Sequence, residues 1–63
     1  MIKNSRDIIK KLKKDGWFEV NRVGSHVQFK HGEQPGRVTV PHPAKDLPTG
    51  TARSIYKQAG WIK

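Results

Sequence analysis

Sixty-three residues without a cysteine offer neither a disulfide framework nor a thiolate metal site. No apolar run approaches the roughly 20 residues of a membrane span, and no signal peptide is recognisable, so a soluble, cytoplasmic chain is expected. Thirteen lysines and arginines against five acidic residues give a formal charge of +8 and a pI of about 10.4, a balance that favours polyanionic partners, nucleic acid first and an acidic protein second.

A chain this short is expected to form one domain over residues 1–63, burying about 60% of its unfolded surface and keeping a stability of only a few kcal/mol. It has little volume for a deep pocket, so its substrate is expected to lie across the surface. Asn4 or Ser5 can cap a first helix, with Asp7 at the reach-back position if Asn4 is the cap. Ile8, Ile9 and Leu12 share one face of that helix, and Lys10, Lys11, Lys13 and Lys14 take its wet sides. Gly16 supplies a left-handed stop, after which Trp17 or Phe18 can pack back on the last turn.

Three short strands are predicted next. Phe18-Glu19-Val20-Asn21 alternates with Phe18 and Val20 inward, and Val23-Gly24-Ser25 turns the chain, Gly24 permitting a positive φ. His26 to His31 is the second strand, with Val27 and Phe29 on one face and His26, Gln28 and Lys30 on the other. A glycine- and proline-marked loop over residues 32–36 leads to Arg37-Val38-Thr39-Val40, with Val38 and Val40 inward and Pro41 ending the strand. Short connections make the sheet antiparallel. The proline-bounded segment 41–48 crosses to a second helix beginning at Thr49 or Gly50, carrying Ala52, Ile55, Tyr56 and Ala59 at helical spacing and closed by Gly60. Trp61 and Ile62 return apolar surface to the core. The predicted class is α+β, in the order α-β-β-β-α, with a three-stranded antiparallel sheet and both helices packed on its apolar face.

Of the three histidines, His26 and His31 point to opposite faces of one strand, and His42 lies in a loop between two prolines. No acidic cluster adjoins any of them, so convergent metal ligands are not expected. His31 reads as structural or solvated. His42 is held rigidly enough to contact a substrate. His26, next to a glycine turn on the open face of a basic sheet, is the chemical candidate.

Gly24-Ser25-His26, then Val38-Thr39-Val40-Pro41-His42-Pro43, then Leu47-Pro48-Thr49-Gly50-Thr51, then Ser54-Ile55-Tyr56-Lys57-Gln58-Ala59-Gly60, in this order and spacing, resemble the HicA (YcfA-like) family. Its members are toxins of bacterial and archaeal toxin–antitoxin modules. The resemblance runs from the first helix and Gly16-Trp17 to Gly60. It implies a fold like that of double-stranded-RNA-binding domains and an mRNA interferase that cleaves RNA with no metal or other cofactor. It also implies a HicB-type antitoxin that covers the active face. The family's catalytic histidine maps onto His26 and its glycine partner onto Gly24. Some relatives carry a second histidine directly after the first; here that position is Val27, which alternation turns into the core.

RNA supplies its own nucleophile, the 2′-hydroxyl, so an enzyme needs to align it, move a proton and stabilise charge on phosphorus. One histidine does not readily take both proton-transfer roles, and Lys30, Arg22, His42 or solvent can complete the cycle. Arg22 and Lys30 are the expected phosphate contacts, with the Gly24 and Ser25 amides as oxyanion donors and Gln28 on the same face as His26. Strict alternation gives Arg22 the parity of Phe18 and Val20 unless the strand has already ended. A non-catalytic RNA-binding or protein-interaction module is the alternative. Aromatic platforms on the open face would favour it, but Phe18, Phe29 and Tyr56 read as core.

Overall fold

The computed structural model describes residues 1–63. Helix α1 (Ser5–Lys14) begins where Asn4 leaves the extended region, its Oδ1 accepting from the N–H groups of Arg6 at 3.0 Å and Asp7 at 3.4 Å. Asp7 lies in the positive first turn, and Lys11, Lys13 and Lys14 lie in the negative last one. Ser5, the other potential cap, is instead a buried residue within the helix. Ile8 and Leu12 are fully buried. Gly16 ends the element at φ +96°, and a Cβ there would stand 2.7 Å from the Nε2 of His31. Glycine is thus required for both its backbone angle and its close approach.

Strands β1 (Trp17–Val23), β2 (His26–His31) and β3 (Val38–Pro41) form one antiparallel sheet in the order β1-β2-β3. The first strand departs from the predicted parity. Trp17, only 2% exposed, is the inward residue, whereas Phe18 is 52% exposed and Val20 40%. The cause is local. A single glycine separates the Asp15 cap from the sheet, so Trp17 enters opposite His31, with the two rings edge to face at 5.2 Å. Phe18 consequently pairs with Lys30 on the outer face. The register shifts between Glu19 and Asn21, a bulge at Val20 that adds one residue and breaks the simple alternation.

The remaining strands follow the predicted faces. Val27, Phe29, Val38 and Val40 are all fully buried and point to one side. Gly24 adopts φ +58° at the first central position of the two-residue turn between Val23 and His26, as a type II′ hairpin requires. The third strand lies one residue later than expected, because Arg37 belongs to the loop and Pro41 still pairs with His26. Proline is admissible there because β3 is an edge strand.

Helix α2 (Thr49–Gln58) turns Ala52 and Ile55 into the same core, and Gly60 stops it at φ +78°. Eleven residues drawn from both helices, all three strands, Leu47 and the α2 C-cap Ala59 form one apolar cluster, with Ile9, Ala44 and Trp61 at its margin. The α-β-β-β-α order and the single helix-covered face match the architecture of double-stranded-RNA-binding domains. Tyr56, expected in the core, is instead half-buried. Its hydroxyl accepts from the Ile2 N–H at 2.9 Å and its ring meets Trp61 edge to face at 5.0 Å. Trp61 in turn donates its indole N–H to Asp15 Oδ2 at 3.0 Å, and so ties the end of the chain to the end of α1.

Candidate functional site

The three histidines divide sharply once their hydrogen bonds are traced. The Nδ1 of His31 accepts from the N–H groups of Glu33 at 2.9 Å and Gln34 at 3.2 Å. Its proton is therefore on Nε2, donated to the Asp15 carbonyl at 2.8 Å. His31 joins the end of α1 to the β2–β3 loop and is structural.

His42 is also committed. Its main-chain N–H donates to the Ser25 carbonyl at 2.6 Å, and its Nδ1 lies 2.7 Å from Ser5 Oγ. That hydroxyl also accepts from the Ala44 N–H at 2.8 Å. The Ser5 N–H returns a bond to the Ala44 carbonyl at 2.9 Å. Two steps beyond the inward Val40, the ring is bonded to the start of α1, and it does not line the groove that His26 lines. Ser5→Ala should leave the Ala44 N–H unpaired in a half-buried site and cost about 1–3 kcal/mol. A lower urea midpoint at unchanged slope would report it.

Of the three imidazoles, that of His26 alone makes no hydrogen bond within the chain. It opens β2, exposed, and lines a shallow groove of about 320 Å3 with Thr39 and Pro41 of β3 and Gly50, Thr51, Ser54 and Gln58 of α2. This wall follows from the fold. The apolar row Ala52, Ile55 and Ala59 is pressed onto the sheet, which leaves the adjoining row Thr51, Ser54 and Gln58 along the β3 edge. Gln58 Oε1 accepts the outward N–H of Thr39 at 3.0 Å and closes an otherwise unpaired edge. Pro48 provides no side-chain cap, so the first-turn N–H groups of α2 remain unpaired beside the groove.

The other expected site residues separate by register. Gln28 and Lys30 share the outer face with His26, and Arg37 Nη1 donates to Gln28 Oε1 at 2.7 Å, bringing a second cation onto that face. Gly24 and Ser25 form the turn leading into His26. Arg22 pairs with Val27 and so belongs to the opposite, helix-side parity, at its exposed margin. The bulge produces this placement: Asn21 and Val23 take the outer positions, opposite Gln28 and His26. Sequence reasoning did not single out Thr39, Thr51, Ser54, Gln58 or Arg37. The available signal was an uncharged polar row at 51, 54 and 58, set at helical spacing beside the apolar one. No three His, Asp or Glu side chains converge anywhere as metal ligands, and no helix is long and apolar enough to cross a membrane.

A family model described as HicA toxin of bacterial toxin-antitoxin matches residues 5–61, nearly the whole chain. No individual curated protein matches it.

Proposed function

The chain belongs to the HicA family, the toxins of bacterial toxin–antitoxin systems, and from that premise we propose that it arrests growth by cleaving mRNA at the His26 groove without a metal ion. The observation that carries this reading is the isolation of His26. It is the one imidazole left free by the fold, and it faces a groove open enough for a nucleic-acid backbone.

In this reaction the His26 imidazole takes the proton of the 2′-hydroxyl. The 2′-oxygen forms a bond to phosphorus, the bond from phosphorus to the 5′-oxygen breaks, and the products are a 2′,3′-cyclic phosphate and a 5′-hydroxyl. Imidazole suits the step because its protonation changes near neutral pH. With the His42 ring turned to Ser5, Arg22 on the other parity and Lys30 outside the groove, four positions along β2 from His26, the proton for the leaving 5′-oxygen comes from solvent in the exposed groove. The unpaired N–H groups at the start of α2 and the amides of Gly24 and Ser25 offer donors to the phosphate oxygens. Lys30 and Arg37 hold the flanking backbone. A HicB-type antitoxin neutralises the toxin by covering this face, its acidic surface complementing the +8 charge.

The exposed Phe18 also suits a second reading, an RNA-binding module without catalysis. Cleavage separates the two. Purified chain incubated with a single-stranded RNA in excess EDTA should yield cyclic-phosphate ends, and a 2′-deoxy substitution at the cut position should block that cut. Loss of cutting on chelation would support a metal-dependent mechanism instead, and binding with no cutting would support the module.

A further inference from the structure

The parity of β1 places an aromatic ring where alternation had put it in the core. Phe18 lies on the open face, opposite Lys30, and Val23 lies on the same face opposite His26. Both are more than half exposed, at 52% and 59%. Glu19 is the only carboxylate on the three strands, and its pairing with Phe29 gives it the helix-side parity. The open face thus combines an exposed ring, the cations Lys30 and Arg37 and the amides of Asn21 and Gln28, with no acid among them. Lys30 stands four positions from His26 along β2, about 13 Å at 3.3 Å per residue.

We propose that Phe18, with Lys30 beside it, is a subsite for an unpaired RNA base, on which a nucleotide a short distance along the strand from the scissile phosphate stacks. This rests on the RNA-cleaving reading and adds to it a preference for single-stranded substrate. Three features favour RNA as the occupant over a protein. The face has one sign of charge. Its apolar surface is broken up by polar and cationic side chains. Its one large ring has a free π-face, which every base can use. The groove binds backbone, and the ring holds the strand in register with it. In a paired duplex the bases are not available to the ring, so an unpaired segment is selected.

The test measures binding of a fluorescent single-stranded RNA and of the same sequence as a duplex, by anisotropy, in a His26→Ala background that prevents turnover. Phe18→Ala should weaken single-strand binding about 5- to 150-fold and change duplex binding little, while Phe18→Trp restores it. Lys30→Ala should lower the salt dependence by roughly one phosphate contact. Circular dichroism should show Phe18→Ala folded. Unchanged RNA binding by folded Phe18→Ala overturns the proposal, as does a variant that loses capture of its antitoxin but keeps RNA. Absence of RNA binding by the parent chain would overturn the subsite and the cleavage reading together. Tight, Phe18-dependent binding by a chain that never cuts RNA would overturn only the cleavage.

Discussion

His26→Ala is expected to lose RNA cleavage by about 10²- to 10⁴-fold, the usual contribution of one positioned general acid or base, and with it growth arrest on expression. The fold should persist. His26 is exposed, donates to nothing and fills no part of the core, so the substitution should stay within about 0.5 kcal/mol of the parent in stability. RNA affinity should change little, because Lys30, Arg37 and the sheet face are untouched. The measurement is cleavage rate and thermal midpoint on the same preparation. His42→Ala and His31→Ala provide the contrast. Each breaks hydrogen bonds that hold the fold together, so their midpoints should fall, and any loss of activity should track that fall. Full toxicity in folded His26→Ala would end the assignment.

Much of this arrangement is legible in the sequence. The face of β2 bearing His26, Gln28 and Lys30 follows from strict alternation against Val27 and Phe29, two residues the core must bury. The helix boundaries follow from Asn4, Gly16 and Gly60, whose backbone angles and capping bonds are local properties. What was not legible depended on contacts across the chain. A bulge is set by the partner strand, so the change of parity it introduces between Glu19 and Asn21 could not be read from β1 itself. The separation of His42 from His26 depends on Ser5, which sequence treated as a cap. The wall of the groove required knowing that α2 runs along the β3 edge. The outward position of His26 was therefore readable from a short local pattern, while the groove around it required tertiary packing.

Trp17→Ala should unfold the chain at physiological temperature, whereas the neighbouring Phe18→Ala should leave it folded. A buried tryptophan truncated to alanine loses about 3–5 kcal/mol, and a domain of this length rarely has more than about 3–5 kcal/mol in total. Trp17 is 2% exposed, sits at the join of α1 and the sheet, and packs against His31, so its loss also loosens the hydrogen bonds that His31 makes to Asp15, Glu33 and Gln34. Phe18 is more than half exposed and contributes little to the core. Trp17→Phe refines the test. The Trp17 indole N–H is buried without an acceptor, a cost of about 1–3 kcal/mol for an unmet donor. Phenylalanine removes that donor along with part of the ring, so the two effects oppose and the net loss should fall far short of the alanine variant. Urea unfolding of the three variants gives the order directly: Phe18→Ala near the parent, Trp17→Phe close below it, and Trp17→Ala unfolded without denaturant. A stable Trp17→Ala beside a collapsed Phe18→Ala would restore the simple alternation of β1, turn Phe18 into the core and remove the aromatic ring from the open face.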